Sequence, residues 1–372
     1  ECDIVLTTPE FLNFHHNKFA AATDIDFVVV DEAHHIGQAV AGQRMAYAKI
    51  GQTIARFGTP TVLALTATAD AEIADTIKKT LNISCCVCDE TRRDNLAIND
   101  QRNLKNRESY LAKLIASGEK TVVYVNSREQ SVFLARTLRK LLPQMASLIG
   151  FYNAGLTRLE RKRIEELFRN GALCVLIATS AFGEGVNISN IRHVVLYHLP
   201  FNEIEFNQMS GRVGRDGEAA TVHLLFGNVD VGINEQILYD MTPDHDCLAQ
   251  VYRELRRVQG ESAEEFFAMS NSELAQLASC NKRVAVSAAS AACGVTVFKE
   301  LGLVDTKTAH DSGETKRFIH VRDTKTKVEL TDSIRYCEGL GERDVFYAFR
   351  DWAMQSSEKE LIKRISRAIL PQ

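Results

Sequence analysis

The chain has 372 residues, of which 45% are hydrophobic and 25% charged, a composition typical of a soluble globular protein of two or three domains. No apolar run reaches the roughly 18 residues that a membrane-spanning helix needs, and no leader precedes the first strand-like run, so we expect a cytoplasmic protein with no membrane partner. The net charge of −4 excludes nucleic-acid binding by bulk positive charge, so any such contact must be local.

The nine cysteines are odd in number and scattered among aliphatic residues, which favours buried thiols in a reducing compartment over a disulfide framework. Those that follow residue 217 are Cys247, Cys280, Cys293 and Cys337. No two of them have metal-ligand spacing, so we expect no structural zinc.

Short β-rich runs alternate with helical patterns through the first 230 residues, which predicts parallel sheets with crossover helices. Most runs are wholly apolar, as strands buried on both faces should be. The predicted strands are 4–8, 27–30, 62–65, 85–88, 121–125, 147–152, 173–178, 193–197 and 221–226. This pattern therefore predicts two α/β domains, with the boundary between them near residues 94–105.

Helical segments replace the strands after Gly227. Helices followed by a β pair are the order of elements in a winged helix. We predict a β pair in which 318–321 leads through a basic turn at 322–327 to 328–330. The candidate recognition helix, 284–301, carries Lys299 as its only internal basic residue, so a packing role is the open alternative. Better phosphate contacts near the predicted turn are Lys316, Arg317, Lys325 and Lys327.

An acidic pair follows the predicted strand 27–30, in the sequence Asp31-Glu32-Ala33-His34. Ligands bind at the carboxyl ends of strands in open α/β sheets, and adjacent carboxylates there are poorly placed for stability. Asp31 can hold Mg²⁺ on the phosphates of a nucleotide, while Glu32 can orient or deprotonate an attacking water. The alternative is that the pair only caps the next helix.

Two glycine-rich segments lie further along the chain. Segment 208–217 places Arg212 and Arg215 three residues apart, each preceded by glycine, so two guanidinium forks suited to phosphate oxygens lie on one side of a helical turn. The alternative is a basic loop that contacts only solvent. Segment 178–187 follows a predicted buried strand and ends in a glycine-rich turn whose amides can face a phosphate.

In chain order, these segments resemble the motifs of superfamily 2 helicases. The matching segments are 31–34 for motif II, 66–68 for motif III, 122–130 for motif IV, 179–187 for motif V and 208–217 for motif VI. The Arg-Asp-Gly that closes motif VI, the run Tyr152-Asn153-Ala154-Gly155-Leu156 and the sequence Arg93-Asp94-Asn95 resemble RecQ helicases in particular. The resemblance spans about residues 4–228.

The resemblance implies an α/β fold with two RecA-like parallel-sheet domains, the first incomplete, followed by a winged helix and a helical C-terminal tail. The implied boundaries are 1–93 for the first RecA-like domain, 101–228 for the second, 229–258 for a helical connector, 259–335 for the winged helix and 340–372 for the tail.

The resemblance also implies ATP-dependent unwinding of DNA in recombination or repair, with 3'-5' polarity and with ATP and Mg²⁺ as cofactors. The implied catalytic and nucleotide-binding residues are Asp31 (also the Mg²⁺ ligand), Glu32, His34, Gly183, Gly185, Asn187, Gln208, Arg212 and Arg215. Single-stranded DNA would contact Thr7, Pro9, Asn126, Ser127, Arg128 and Thr179, and duplex DNA would contact Lys325 and Lys327.

The sequence departs from this family in two respects. It contains no Gly-x-x-x-x-Gly-Lys-Thr/Ser phosphate-binding loop, which we interpret as truncation, so we expect these residues alone to hydrolyse ATP poorly or not at all. Tyr47 is the only aromatic residue between residues 35 and 50, where RecQ helicases carry an aromatic loop.

Two other functions stay open at this point, a non-catalytic DNA-junction binding module and a superfamily 2 RNA helicase. The tail resembles helicase modules fused to RecJ-type exonucleases, which suggests a fused or separate exonuclease as a partner.

Overall fold

The structure is a computed structural model that describes residues 3–22, 25–40, 46–183, 186, 188–280, 284–311, 314–324, 327–368 and 371. The chain divides into two compact units. The first comprises residues 1–65, 73–84 and 235–344, and the second comprises residues 66–72, 85–234 and 345–372.

Helices and strands alternate in the first 224 residues, and helices dominate the rest. The helices are α1 (Pro9–Ala22), α2 (His34–Val40), α3 (Ile50–Ala55), α4 (Ala71–Leu81), α5 (Arg107–Ile115), α6 (Arg128–Leu141), α7 (Arg158–Arg169), α8 (Glu203–Ser210), α9 (Asn228–Met241), α10 (His245–Glu261), α11 (Asn271–Ser279), α12 (Ala288–Glu300), α13 (Ile334–Gln355) and α14 (Glu358–Ile365). The strands are β1 (Phe27–Val30), β2 (Thr61–Ala64), β3 (Leu96–Asp100), β4 (Thr121–Tyr124), β5 (Ile149–Tyr152), β6 (Val175–Ala178), β7 (His193–Leu196), β8 (Ala220–Leu224), β9 (Phe267–Ala268), β10 (Val304–Asp311) and β11 (Glu314–Val321).

The second unit is built on a sheet of six parallel strands in the order β3-β8-β7-β4-β6-β5. Every residue of β4 and β6 is buried, because helices cover both faces of such a sheet. The helices begin where side chains cap them: Ser127 Oγ accepts the Gln130 N–H at 3.1 Å, and Thr157 and Glu160 form a capping box. The predicted parallel α/β architecture is confirmed.

The edge strand β3 lies where the sequence analysis placed an interdomain segment. It pairs with β8 from Leu96↔Ala220 to Asp100↔Leu224, so the second sheet begins at Leu96 and not at residue 101. Only Leu96 and Ile98 are buried in it, and polar residues follow. This alternation is too short to stand out from a connecting segment by pattern alone.

The helical tail packs against this second unit from Val345 onward. Phe346 and Phe349 are buried, and the Trp352 ring meets Phe206 edge to face with centroids 5.6 Å apart. Arg102 donates hydrogen bonds to the carbonyl oxygens of Ala353 at 2.7 Å and Ser356 at 2.9 Å. The tail begins at Ile334, six residues before the predicted start at 340.

The first unit contains the parallel pair of strands β1 and β2, in register from Phe27↔Thr61 to Val30↔Ala64. The predicted strands 4–8 and 85–88 are wrong, since neither segment joins a sheet among the residues that the structure describes. Both are exposed, with Leu6 at 95% and Val87 at 91% exposure. An apolar, β-branched composition predicts a strand only if a neighbouring strand supplies the hydrogen-bond ladder.

Residues 245–321 follow the order α10, β9, α11, α12, β10, β11, with β11 pairing antiparallel to both β10 and β9. Apolar side chains from α10, α11, α12 and these strands share one core, which includes Leu248, Leu274, Phe298 and Ile319. This is the order of elements that the winged-helix assignment requires, and the assignment itself stays a prediction.

The predicted β pair in this region is wrong. The partner of 318–321 is β10, paired from Val304↔Val321 to Asp311↔Glu314, and residues 327–329 form no strand. The strand β10 is mostly polar, so its sequence gave no hydrophobic signal. The basic turn at 322–327 therefore follows the hairpin instead of forming its tip.

Within the described part of the chain, no helix combines the length and the apolar character that crossing a bilayer requires.

Candidate nucleotide and nucleic-acid sites

The acidic pair lies in a tight turn at the carboxyl end of β1. The Glu32 N–H donates to Asp31 Oδ1 at 2.8 Å, and Glu32 has a φ of +49°, a left-handed conformation that few non-glycine residues adopt. Neighbouring backbone holds the turn, since the Ala33 N–H donates to the Leu65 carbonyl at 2.9 Å. Such strained conformations cluster at functional sites, which favours a chemical role for the pair.

His34 supports the acidic pair from inside the unit. Its side chain is fully buried, and its Nδ1 lies 3.2 Å from Oε2 of Glu32, a carboxylate that is half exposed. A buried imidazole at this distance can fix the orientation of the carboxylate.

The residues of this turn fit a magnesium ion held mainly by phosphates. Asp31 and Glu32 present exposed carboxylates, the hard oxygen ligands that Mg²⁺ prefers. Among the described residues no group of three or more His, Cys, Asp or Glu side chains could hold a metal ion. The turn therefore suits Mg²⁺ bound through one or two carboxylates together with a nucleotide.

Two further predicted motifs form local hydrogen bonds. Thr8 Oγ1 accepts the Phe11 N–H at 3.3 Å at the start of α1, next to the exposed Thr7 and the half-buried Pro9. In motif III the Thr66 Oγ1 accepts the Thr68 N–H at 3.1 Å.

Three arginines converge at the predicted motif VI in the second unit. Desolvation, followed by the charges of Arg212 and Arg93, lowers the pKa of Arg215, and desolvation also lowers the pKa of Arg93. Burial raises the pKa of Tyr124, at the end of β4, and the nearby charges of Arg212 and Arg215 partly offset that rise. Among the described residues, no carboxylate forms an ion pair with any of the three arginines. Crowded, partly desolvated cations of this kind suit a bound anion such as phosphate.

The loop that carries these arginines is fastened by residues far away in sequence. Arg93 donates to the Gly211 carbonyl at 3.2 Å and also to the Val213 carbonyl, and Asn95 Nδ2 donates to the carbonyls of Gly214 and Glu218, each at 2.8 Å. Sequence reasoning assigned no role to Arg93 or Asn95. The only sequence feature that pointed to them was the similarity of Arg93-Asp94-Asn95 to the segment between the two domains of RecQ helicases.

Motif V lies against the same cluster. Arg212 Nη1 donates to the Val186 carbonyl at 2.7 Å, and a Cβ on Gly183 would lie 3.8 Å from Arg212 Nη2 and 2.8 Å from the Ser180 carbonyl oxygen. The glycine is therefore required by the tight turn within motif V, where its backbone approaches the Ser180 carbonyl oxygen closely. Gly185 and Asn187 lie outside the described residues.

Several buried polar atoms in motif VI and in the residue before it have no hydrogen-bond partner among the described residues. They are the side-chain oxygen and nitrogen of Asn207, the Ser210 hydroxyl and Nε of Arg212. The neighbouring Gln208 is half buried on α8. Because an unsatisfied buried donor is costly, these groups fit a site that a polar ligand completes.

The predicted single-strand contacts differ in how their polar atoms are used. Asn126 Nδ2 donates to the Leu199 carbonyl at 2.8 Å and to Asn234 Oδ1 at 2.6 Å, and Ser127 caps α6. Thr179 is half buried and Arg128 is exposed. All four follow the carboxyl ends of the neighbouring strands β4 and β6, so they lie along one edge of the sheet.

The predicted duplex contacts lie after the hairpin. Lys327 is exposed and forms an ion pair with Glu329 at 2.9 Å, while Lys325 lies outside the described residues. Lys316 lies on β11 near its start and is exposed.

Two family models match the chain in the expected order. Residues 1–76 match the DEAD/DEAH box helicase family, and residues 106–217 match the helicase conserved C-terminal domain. These matches, the six-stranded parallel sheet and the ordered motifs place the chain in superfamily 2 of the helicases.

Two curated relatives point to one group of helicases within this superfamily. The chain is 32% identical over 241 residues to the probable ATP-dependent DNA helicase RecS of Bacillus subtilis, covering 63% of this chain and 48% of that protein. It is 31% identical over 258 residues to the ATP-dependent DNA helicase RecQ of the same organism, covering 68% and 42%. Within its superfamily the chain is thus similar to RecQ-like helicases, and it spans less than half the length of these two relatives.

The fold is also similar to a solved structure, that of Mycobacterium smegmatis helicase Lhr bound to ssDNA and AMP-PNP. The TM-score is 0.50 at 16% identity, over 86% of this chain and 44% of that one. At this identity the likeness concerns the fold alone.

Proposed function

We propose that this protein is an ATP-dependent DNA helicase that acts in recombination or repair. The observation that carries the proposal is the cluster of Arg93, Arg212 and Arg215, which concentrates positive charge at motif VI without a carboxylate partner among the described residues. The names of the two Bacillus subtilis relatives support DNA as the nucleic acid.

Different residues of the chain have different roles in ATP hydrolysis. Glu32, oriented by His34, positions and deprotonates the attacking water. Arg212 and Arg215 stabilise the negative charge that develops on the transferred phosphoryl group. Mg²⁺, held by Asp31, would neutralise charge on the phosphates. The site also needs a phosphate-binding loop, which these 372 residues do not contain.

Fastening of the arginine loop is part of this proposal. Catalytic electrostatic stabilisation requires donors that are already in position before the charge develops. The hydrogen bonds from Arg93 and Asn95 to the loop backbone provide that preorganisation. Arg93 is thus a positioning residue, and Arg212 and Arg215 are the groups that meet the phosphates.

The product of the complete gene tests this function in a strand-separation assay. We expect it to separate a forked DNA duplex when ATP and Mg²⁺ are both present, and to separate an RNA duplex of the same sequence more slowly. Binding of the fork without ATP hydrolysis would support the non-catalytic junction-binding module instead. Faster separation of the RNA duplex would support an RNA helicase.

A further inference from the structure

A groove of about 560 Å³ opens beside motif IV in the second unit. Its walls are the outer face of α6, the end of β5 and the residues that follow β5. The lining includes Arg128, Val132, Phe133, Arg136, Phe151 and Leu156. The volume falls in the range of ligand-binding clefts. None of the proposed steps of ATP hydrolysis uses this groove.

Phe133 is the most unusual residue of the groove, because its aromatic ring is 62% exposed on an otherwise well-packed helix. The inner face of α6 buries Leu134, Ala135 and Leu138 against the sheet. Phe133 therefore adds nothing comparable to the core. An exposed aromatic ring beside polar groups offers an apolar face on which another flat ring can stack.

Two arginines flank this ring. Arg128, Val132 and Arg136 are spaced by four residues, so they form one stripe along α6 about 12 Å long. Arg136 is also one turn beyond Phe133. The one carboxylate in the lining, Glu129, is engaged at the start of the helix: its pKa is lowered by hydrogen bonds to its own backbone N–H and to Ser127.

Buried hydrogen bonds fix the position of Arg128. Ser131 Oγ donates to the Arg128 carbonyl at 2.7 Å, and the buried Asn153 Nδ2 donates to Ser131 Oγ at 2.9 Å. The Gly155 N–H donates to Asn153 Oδ1 at 2.9 Å, and a Cβ on Gly155 would lie only 3.5 Å from Arg128 Cδ. The helix start and the loop after β5 are thus built as one unit.

We propose that this groove holds a segment of single-stranded DNA, with a base stacked on Phe133 and phosphates bound by Arg128 and Arg136. The proposal rests on the proposed helicase function and adds a stacking platform and a second phosphate contact to it. Charge complementarity carries the choice of ligand, since the groove combines exposed guanidinium groups with an apolar face in a chain whose net charge is −4. Single-stranded nucleic acid offers the matching pair of phosphates and aromatic faces.

The 372-residue chain itself is suited to the test, with fluorescein-labelled oligothymidylate as the probe and anisotropy as the readout. We expect Phe133→Ala to raise the Kd about tenfold, as loss of one stacked base does, and Phe133→Trp to restore binding. The matched control is Leu141→Ala, which removes an apolar side chain of 52% exposure from the same helix outside the groove. We expect this control to bind like the parent chain.

An oligonucleotide with abasic sites separates stacking from general effects of the substitution. The parent chain should bind it several-fold more weakly than oligothymidylate, whereas Phe133→Ala should bind both probes alike. Arg136→Ala should reduce the steepness of the salt dependence by somewhat less than one unit, the value for one phosphate contact on a single strand.

Three results would overturn the proposal: equal affinities of Phe133→Ala and Leu141→Ala for oligothymidylate, no single-strand binding by the parent chain, or Phe133-dependent binding of an acidic, phenylalanine-containing peptide in place of DNA. These outcomes are independent of ATP-driven strand separation by the complete gene product. A failure here is therefore distinguishable from a failure of the helicase assignment.

Discussion

Arg93 donates a hydrogen bond to the carbonyl oxygen of Gly211 at 3.2 Å, although the two residues are 118 positions apart in the chain. The same guanidinium also donates to Val213, so one side chain fastens both ends of the turn that presents Arg212. This relationship makes the arginine loop depend on a residue outside the helicase motifs.

We expect Arg93→Ala to lower the free energy of unfolding by about 2 kcal/mol, because two carbonyl groups lose a charged hydrogen-bond donor. It should also lower DNA-stimulated ATP turnover, since the loop loses its fixed position. The matched control is Arg92→Ala, whose exposed side chain pairs with Asp94 and forms no hydrogen bond to the loop in the described part of the chain. Urea unfolding and ATP hydrolysis of both variants make the comparison, and equal behaviour would refute the fastening role.

Gly214 is expected to tolerate no side chain. It has a φ of +57°, and an added Cβ would lie 2.7 Å from both Ala220 Cβ and Asn95 Nδ2. Gly217 has a φ of +85° but open space around it. Gly217→Ala should therefore cost about 1 kcal/mol of backbone strain, and Gly214→Ala should cost about 3 kcal/mol because a clash is added. Equal shifts in thermal unfolding would show that the contact with Asn95 is unimportant.

We expect the second unit to lose stability in acid because of His223. The imidazole is buried between Tyr110, 2.7 Å away, and His193, 3.0 Å away, and burial followed by the His193 charge lowers its pKa from 6.5 to about 4. The unfolded chain thus binds more protons than the folded one between these two pH values. The free energy of unfolding should fall as the pH drops from about 6.5 to about 4, by a total of about 3 to 4 kcal/mol at most. Below about pH 4 this group should cause no further fall.

Urea unfolding from about pH 7.5 to about pH 4.5 measures this dependence. His223→Gln cannot take up the proton, so its stability should change less steeply over the same range. Parallel curves for the two proteins would mean that His223 is not the group responsible.

The ion pair of Arg107 with Asp230 should contribute strongly to the second unit. Arg107 Nη1 and Nη2 donate to the two carboxylate oxygens at 3.0 and 2.8 Å, and Asp230 is only 2% exposed. Arg107→Met leaves a buried carboxylate without its charge partner and should cost about 3 to 5 kcal/mol. Arg163→Met, which breaks an exposed pair with Glu166, should cost less than about 1 kcal/mol. Similar losses in the two variants would contradict this account.

The interior of the second sheet could be predicted well from the sequence. Strands β4, β6 and β7 are wholly or nearly wholly buried, so continuous apolar runs marked them. The same apolar pattern led to wrong strand predictions at residues 4–8 and 85–88, because composition does not reveal whether a neighbouring strand is present. It also missed β10, because that strand is mostly polar and has no continuous apolar run.

The candidate site could be predicted in its residue types but not in its supports. Acidic and arginine side chains at strand and helix ends are chemically informative wherever they occur. Hydrogen-bond partners are less predictable, because they come from remote parts of the chain. Asn126 is one example, because its side-chain amide donates hydrogen bonds to Leu199 and Asn234. Arg93, which donates to Gly211, is another.

The central claim is that Arg215 acts on the nucleotide during ATP hydrolysis, and the direct test is DNA-stimulated ATP hydrolysis by the complete gene product. We expect Arg215→Ala to reduce turnover about a thousandfold or more, Arg163→Ala to leave it unchanged, and Arg215→Ala combined with Glu32→Gln to be little worse than either change alone. Turnover of Arg215→Ala equal to that of Arg163→Ala would contradict the account.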